Sequence, residues 1–196
     1  MRITSGKYKG RVLKTPKEIR PTQEKVRKAV FDILGDIEGL SFLELFAGSG
    51  AIGFEAVSRG AGELTLVEHN RICFAAINKN IEYLKISNCR VFCLDVERAV
   101  KSLHKNKKQF DIIFLDPPYY NDLVPPLRSE LTVTKFSCSL AKKTLQMLGA
   151  YDILAACGLV IVQHFKKDDL SSSLDNLTIL KQATYGDTVL TFYRKD

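Results

Sequence analysis

Short apolar runs bounded by charged or turn-forming residues recur along this chain, and most of them are almost continuously hydrophobic. That pattern is typical of strands in a parallel sheet, which are buried on both faces and therefore do not alternate apolar with polar positions. Five runs predict such strands: Ser41–Leu45, Glu63–Val67, Arg90–Leu94, Phe110–Leu115 and Gly158–Gln163.

The segments between these strands carry apolar residues at intervals of three and four, which is the spacing of one helix face. They predict helices over Gln23–Leu34, Gly53–Arg59 and Val96–Leu103, and a further helix from an N-cap at Asn70 to Leu84. Strand and helix thus alternate, which predicts a doubly wound α/β fold.

The end of the chain has a different pattern. Asp168–Leu174 predicts a short helix, and Leu177–Tyr185 and Thr188–Arg194 predict a hairpin closed by Gly186 and Asp187. The expected fold is therefore Rossmann-like, with a mostly parallel seven-stranded sheet and an antiparallel C-terminal hairpin. Residues 120–157 give no clear element.

The 196 residues, 45% of them hydrophobic, suffice for one sizeable core, so we expect one domain over residues 23–196 and a basic N-terminal arm over residues 1–22. Residues 1–28 contain ten Lys and Arg against two Glu, a net charge of +8, whereas the whole chain carries +7. A solvated basic face is the simpler explanation of a charge run. Its confinement to one end, with Tyr8 among the charges, nevertheless favours a nucleic-acid partner.

Composition also limits the location and chemistry of the protein. There is no run of about 18 apolar residues and no signal-peptide pattern, so we expect a cytoplasmic protein without a membrane segment. The five cysteines include no C-x-x-C pair. Neither they nor the three histidines suggest a disulfide framework or a metal site, and we expect the thiols to be buried.

Gly48-x-Gly50-x-x-Gly53 directly follows the first predicted strand and opens a helix, where glycines allow a tight turn and a close approach of the backbone to a ligand. A dinucleotide fits such a loop, and Glu68, at the end of the second strand, could hold its ribose hydroxyls. Glu44 in the first strand instead favours a cofactor with an ammonium group, and S-adenosyl-L-methionine carries one. The structural alternative is a Glu44 that faces solvent or pairs with a lysine.

Asp95 ends the third predicted strand and stands before Val96. A carboxylate there can accept a hydrogen bond from an adenine amino group, and it can equally cap the helix that begins at Val96. Both roles can hold together.

Asp116-Pro117-Pro118-Tyr119 leaves the carboxyl end of the fourth predicted strand, where open α/β sheets bind ligands. Two prolines hold this segment stiffly outside the sheet. The Asp116 carboxylate and the Pro117 carbonyl could accept the hydrogens of an exocyclic base amine and so localise its lone pair for attack on a methyl group, while Tyr119 stacks on the base. A plain strand-ending turn is the alternative.

With these motifs the chain resembles the class I S-adenosylmethionine-dependent methyltransferases that carry a D-P-P-Y motif. More narrowly, it is similar to the bacterial family that methylates a guanine N2 of small-subunit (16S) ribosomal RNA. The narrower signals span nearly the whole chain: Ile3–Leu13, Arg20–Thr22 with Val26, Arg27 and Phe31, Phe46–Gly50 with Glu55, Ala56 and Ser58–Ala61, and Tyr185–Thr188.

The resemblance implies roles for three groups of residues. The S-adenosyl-L-methionine site would comprise Glu44, Phe46, Ala47, Gly48, Ser49, Gly50, Glu68, His69, Asp95 and Val96. Catalysis would depend on Asp116, Pro117, Pro118 and Tyr119. The RNA contacts would be Arg2, Lys7, Lys9, Arg11, Arg20, Thr22 and Arg27. The implied substrate is ribosomal RNA within an assembled or assembling small subunit, and we expect a monomer without a metal.

Three departures from the family pattern stand out: Glu44 where Asp is more common, His69-Asn70 in place of a more usual sequence after Glu68, and Gln163-His164 where an acidic residue plus His is usual. A larger difference is an apparent insertion near Asp122–Cys138, beside the expected active site. Two other functions stay open. A DNA adenine-N6 or cytosine-N4 methyltransferase shares the D-P-P-Y residues, although the chain has little room for a domain that reads DNA sequence. A noncatalytic RNA-binding module with a decayed cofactor site is the other, and the intact Glu44, Gly48, Gly50 and Asp116 argue against it.

Overall fold

The computed structural model describes residues 1–16, 23–118, 139–168, 170 and 176–195. The elements in chain order are α1 (Glu24–Leu34), β1 (Ser41–Leu45), α2 (Ala51–Ser58), β2 (Glu63–Val67), α3 (Arg71–Leu84), β3 (Cys89–Phe92), α4 (Val96–Lys105), β4 (Phe110–Leu115), α5 (Leu140–Ala150), β5 (Leu154–Phe165), β6 (Leu177–Tyr185) and β7 (Thr188–Lys195).

The seven strands form one sheet in the order β3-β2-β1-β4-β5-β7-β6. Strands β1 to β5 pair in parallel, whereas β7 runs antiparallel to both β5 and β6. The predicted fold class is confirmed: the sheet is Rossmann-like, mostly parallel, and closed by a C-terminal hairpin. The strand order reverses between β1 and β4, and in open α/β sheets ligands bind at this reversal, outside the carboxyl ends of the strands.

The predicted strand bounds are confirmed for β1, β2, β4 and β6, and β7 extends one residue further. Strand β3 covers Cys89–Phe92 and not Arg90–Leu94, because it is an edge strand and its pairing ends where β2 ends, at Val67 opposite Phe92. Strand β5 is longer than predicted at both ends, since Leu154 pairs with Phe110 of β4 and the other end pairs with β7 as far as Phe165.

The predicted helices α1, α3 and α4 agree with the structure to within two residues, and α2 begins two residues earlier than predicted, at Ala51. The Asn70 side chain caps α3 as expected, accepting hydrogen bonds from the backbone N–H groups of Ile72 and Cys73. Helix α5 was not predicted. The insertion near Asp122–Cys138 and most of the predicted helix Asp168–Leu174 lie outside the described residues.

Two layers of helices cover the sheet because side chains of successive strand residues point to opposite faces. One face, called the α1–α3 face, packs Phe42, Phe114 and Ile161 with apolar residues of α1, α2 and α3. The opposite face packs Leu43, Ile113 and Val162 with α4 and α5. Within the described ranges, no helix is long and apolar enough to cross a membrane.

Candidate functional site

The carboxyl ends of β2, β1, β4 and β5 lie side by side at the strand-order reversal. Leu45 pairs with Val67 on one side and with Leu115 on the other, and Leu115 pairs with Val162. The residues that follow these strand positions therefore emerge together at one edge. This edge brings together the glycine loop after β1, Glu68 after β2 and Asp116 after β4.

The glycine loop turns the chain sharply from β1 into α2. Phe46 adopts a left-handed backbone with φ of 59°, which is strained for a non-glycine residue. The loop is held by the backbone hydrogen bond from Ala47 N–H to Val67 O, at 3.0 Å. Gly53 has no room for a side chain, because an added Cβ would lie 2.7 Å from Leu64 and 2.9 Å from the Glu44 carboxylate. Glycine at this position thus lets α2 sit directly on the sheet.

Glu44 lies beneath α2 on the α1–α3 face, with 3% of its side chain exposed. Its Oε2 accepts a hydrogen bond of 2.8 Å from the Gly53 N–H. Burial raises the pKa of Glu44 to about 8, the Gly53 and Ile52 hydrogen bonds oppose that rise, and the nearby Asp116 and Glu68 carboxylates add to it. Glu44 therefore neither faces solvent nor pairs with a lysine of the described chain, which excludes its structural alternative.

Glu68 fastens the glycine loop to the end of β2. The carboxylate is 6% exposed. Oε2 accepts a hydrogen bond of 2.7 Å from the Gly48 N–H, and Oε1 accepts one of 2.7 Å from the Asn70 N–H. His69 is mostly exposed, and its Nδ1 lies 3.3 Å from Glu68 Oε1. Glu68 thus connects two of the predicted cofactor segments.

Asp95 lies at the outer end of the same edge, after β3. Its Oδ1 accepts a hydrogen bond of 2.9 Å from the Arg98 N–H and so caps α4, while the side chain stays half exposed. The predicted capping role is confirmed, and Asp95 remains open to solvent at the sheet edge. Val96 begins the helix and is buried.

The D-P-P segment begins where β4 ends. Asp116 is half-buried, Pro117 is buried and Pro118 is exposed. Asp116 is close enough to Glu44 to raise the pKa of that carboxyl. The glycine loop and Asp116 therefore share one edge and one face of the sheet. Tyr119 lies outside the described residues.

The N-terminal segment forms a hairpin that is docked on the domain. Ile3 N–H donates to Arg11 O at 2.9 Å and Gly10 N–H to Ile3 O at 2.9 Å, and the Ile3 and Leu13 side chains belong to the core of the α1–α3 face. We call residues 1–14 the basic hairpin. Its exposed basic side chains are Arg2, Lys7, Lys9, Arg11 and Lys14. The expected boundary of the arm at residue 22, and the predicted contacts Arg20 and Thr22, lie outside the described residues.

Arg27 is an exception among the predicted RNA contacts. Its side chain is 1% exposed. The guanidinium donates a hydrogen bond of 2.8 Å to the Arg2 carbonyl and lies 3.6 Å from the Glu55 carboxylate. The prediction for Arg27 is wrong in this structure, because a guanidinium enclosed between the basic hairpin and α2 cannot reach a phosphate.

Glu55 of α2 holds the basic hairpin in place, a role that the sequence did not predict. The fully buried carboxylate accepts hydrogen bonds from the Thr4 N–H at 2.9 Å, the Thr4 hydroxyl at 2.6 Å and the Ser5 N–H at 3.0 Å. Ser58, one turn further, accepts from the Tyr8 N–H at 2.9 Å. The available signal was that Glu55 is the single charged residue of α2, since such a charge within a buried helix is stable only with buried partners.

Asn80 and Gly6 complete the attachment of the basic hairpin. The buried Asn80 amide of α3 exchanges two hydrogen bonds with the Lys14 backbone, at 2.8 and 3.0 Å. Gly6 has a φ of +75°, and an added Cβ would lie 1.6 Å from the Ser58 carbonyl oxygen. The exposed cations therefore project from a fixed surface of the domain.

The cysteines differ from the expectation of buried thiols. Cys73 is buried and Cys89 half-buried, but Cys93 and Cys157 are exposed. Cys93 follows the edge strand β3, and Cys157 has a left-handed backbone in the irregular first part of β5, so neither side chain reaches the core. Across the described ranges, no three His, Cys, Asp or Glu side chains group as metal ligands.

Comparison with known proteins places this architecture among methyltransferases. The sequence model of the family described as "Conserved hypothetical protein 95" matches residues 1–194. The putative rRNA methyltransferase YlbH of Bacillus subtilis is 31% identical over 199 residues, which covers 100% of this chain and 99% of the relative. Ribosomal RNA small subunit methyltransferase D of Escherichia coli is 29% identical over 199 residues, covering 100% of this chain and 90% of the relative.

A solved structure agrees with these sequence matches. The putative methyltransferase yhhF from Escherichia coli superposes with a TM-score of 0.81 at 26% identity, covering 100% of this chain and 98% of that one. The similarity thus extends over the whole fold, including the basic hairpin and the carboxyl edge of the sheet.

Proposed function

Since the chain belongs to the "Conserved hypothetical protein 95" family, which includes the 16S ribosomal RNA methyltransferases, we propose that it methylates the exocyclic N2 amine of a guanine in small-subunit ribosomal RNA. The methyl donor is S-adenosyl-L-methionine. One observation carries the proposal: at the carboxyl edge of β2, β1 and β4, Glu68 accepts a hydrogen bond from the glycine loop, and both Glu68 and Asp116 lie close enough to Glu44 to raise its pKa.

The residues present fit this cofactor. Glu44 is a carboxylate whose pKa burial raises to about 8, and an ammonium group beside it would offset that burial. Glu68 lies at the end of β2, where Rossmann-like folds bind ribose hydroxyls. Asp95 remains accessible at the outer end of the edge and can accept from an adenine amine. The tight packing of Gly53 keeps the α2 N-terminus close to the sheet, which leaves the space above the edge to the ligand.

The chemistry requires an amine whose lone pair is available and an electrophilic methyl group. When bound, the cofactor supplies that methyl group on a sulfonium sulfur. Asp116 and the Pro117 carbonyl would accept the two amine hydrogens, which turns the lone pair away from the base ring and toward the donor. As the nitrogen–carbon bond forms and the sulfur–carbon bond breaks, the nitrogen would release one of its two protons, which the Asp116 carboxylate can take up. Positioning carries most of the rate enhancement, since no metal or covalent intermediate is needed. Tyr119 stacks on the extruded base.

The basic hairpin binds the RNA backbone. Five exposed cations on residues 1–14 face solvent from a surface fixed by Glu55, Ser58 and Asn80. Phosphate neutralisation by such side chains supplies the salt-dependent part of nucleic-acid affinity. A fixed hairpin also sets the distance between the bound backbone and the catalytic edge. We propose that the substrate is an assembled or assembling small subunit and that the enzyme acts as a monomer.

A transfer assay with three substrates tests the function. Purified protein and cofactor with a labelled methyl group are incubated with small subunits that lack the modification, with naked ribosomal RNA, and with duplex DNA. We expect label in the ribosomal RNA of the first sample. Label in DNA alone would support the DNA methyltransferase instead, and absence of cofactor binding by calorimetry would support the noncatalytic module.

A further inference from the structure

Gln163 of β5 stands next to the proposed catalytic aspartate. Leu115 and Val162 form the last pair between β4 and β5. Asp116 and Gln163 therefore occupy the next position on these neighbouring strands, which lie about 5 Å apart. Both side chains belong to the α1–α3 face, because Phe114 and Ile161, two residues earlier, pack in its core. Gln163 therefore extends the row formed by Glu68, Glu44 and Asp116.

The side chain of Gln163 is 7% exposed, and its Oε1 has no hydrogen-bond partner within the described part of the chain. Buried amides normally find partners, because leaving a buried acceptor unpaired is costly. The next residue cannot serve: His164 points to the opposite face, where its Nε2 lies 2.9 Å from Thr191 Oγ1. An unpaired acceptor beside a substrate site is instead expected where the substrate supplies the donor.

Guanine matches this arrangement better than the other bases that carry an exocyclic amine. Its N2 amine is flanked by the ring N1–H, which is a donor. The N6 amine of adenine and the N4 amine of cytosine are flanked on their Watson–Crick edge by a ring nitrogen that only accepts. Enzymes that extrude a base read it through that edge. The last torsion of a glutamine side chain is soft, so a small turn of the amide presents Oε1 to a base held by Asp116.

We propose that Gln163 is a specificity-determining residue: its Oε1 accepts a hydrogen bond from the N1–H of the target guanine. The inference rests on the proposed function and explains how the site selects guanine over adenine and cytosine. It assigns to β5 a contact on the base edge, next to the amine contact that β4 provides.

The test combines two enzyme variants with two substrates. The methylated nucleotide is first located by mapping the labelled product, and is then replaced by 2-aminopurine, which keeps the C2 amine but lacks the ring N1–H and the O6. Gln163→Met keeps the length of the side chain without its hydrogen bonds. Gln163→Glu keeps an acceptor at the same position and is the matched control.

The quantity to compare is the preference for guanine over 2-aminopurine, measured as a ratio of kcat/KM. We expect a preference of about tenfold or more in the wild type, a similar one in Gln163→Glu, and a loss of most of it in Gln163→Met. Cofactor affinity should be unchanged in both variants, since β4 lies between β5 and the strands β1, β2 and β3 that carry the proposed cofactor residues.

The results separate the two claims. If the wild type methylates guanine and Gln163→Met prefers guanine over 2-aminopurine as strongly as the wild type does, the role of Gln163 is refuted. The proposed function then still stands. If Gln163→Glu loses as much of the preference for guanine as Gln163→Met does, the acceptor role of residue 163 is refuted. A wild type that transfers no methyl group to guanine would refute the proposed function itself.

Discussion

Replacement of Glu44 by glutamine tests the electrostatics of the proposed cofactor site. The glutamine has nearly the same shape, and its carbonyl oxygen can accept the hydrogen bond that the Gly53 N–H now donates at 2.8 Å. The variant removes only the ability to carry a charge. It should therefore stabilise the ligand-free protein at neutral and alkaline pH.

The magnitude follows from the pKa of Glu44, which burial raises from 4.5 to about 8. Between these values the folded protein keeps a proton that the unfolded chain has lost, so the folded state binds more protons and its stability falls as pH rises. The slope is about 1.4 kcal/mol per pH unit. Between about pH 5.5 and 7.5 the advantage of Glu44→Gln over the wild type should therefore grow by about 3 kcal/mol.

Denaturant unfolding of both proteins across this pH range measures the difference. Glu97→Gln is the matched control, because Glu97 is an exposed carboxylate paired with Lys101, and its profile should run parallel to that of the wild type. A constant difference between Glu44→Gln and the wild type at all pH values would show that Glu44 is ionised in the folded state, and would exclude the raised pKa.

The same variant reports on the cofactor. An ammonium group beside Glu44 lowers the pKa of the carboxyl, so cofactor binding at neutral pH should release a proton from the wild type but not from Glu44→Gln. Calorimetry in two buffers of different ionisation enthalpy measures this release. We expect the affinity of the variant to fall by about tenfold or more, because a charge-assisted hydrogen bond is removed. Equal affinity and equal proton release would place the ammonium elsewhere.

Three further predictions concern catalysis, RNA binding and stability. Asp116→Ala should reduce transfer by about a hundredfold or more while cofactor affinity changes little, as kinetics and calorimetry would show. Replacing Lys7 and Lys9 by Gln should weaken RNA binding and lower the slope of its salt dependence by about 1 for each phosphate that is no longer neutralised, measured over a salt series. Glu55→Ala should cost about 3–5 kcal/mol in denaturant unfolding, because it leaves the buried Arg27 without its carboxylate.

Controls and contrary outcomes are available for each. An equal loss of cofactor binding in Asp116→Ala would mean that this residue does not contact the base. Lys105 and Lys107 lie at and just after the end of α4, which covers the other face of the sheet from the basic hairpin, so replacing them by Gln should leave the salt slope unchanged. An equal effect of both pairs would show that the basic hairpin has no special role in RNA binding. For Glu55→Ala, a cost below about 1 kcal/mol would show that the buried pair contributes little.

The elements around the site could be predicted from the sequence because the physics there is local. Strands β1, β2 and β4 are buried on both faces, so their apolar runs end where burial ends, and the predicted bounds are those of the structure. The glycine loop and the Asn70 cap could be predicted because each depends on a local property of single residues: glycine allows a tight turn, and an asparagine side chain can cap a helix. The extents of the edge strand β3 and of β5 depend on pairing partners that are distant in sequence. Their predicted bounds therefore differ from those of the structure.

Interactions between distant parts of the sequence could not be predicted in the same way. Glu55 pairs with Thr4 and Arg27, which lie 51 and 28 positions away, and no periodicity records such a pairing. Arg27 therefore looked like one more cation of a basic segment. Helix α5 was easier to predict from the sequence, because Ser139 is an ordinary N-cap and the residues that are buried, the last of them Leu148, follow it at helical spacing.

Nucleoside analysis of the methylated RNA decides whether guanine N2 is the target. Ribosomal RNA of unmodified small subunits is incubated with labelled cofactor and wild-type protein, digested to nucleosides and separated. We predict label in N2-methylguanosine, and none with Asp116→Ala. Label in a methylated adenosine or cytidine, or at another position of guanosine, would contradict the proposed activity.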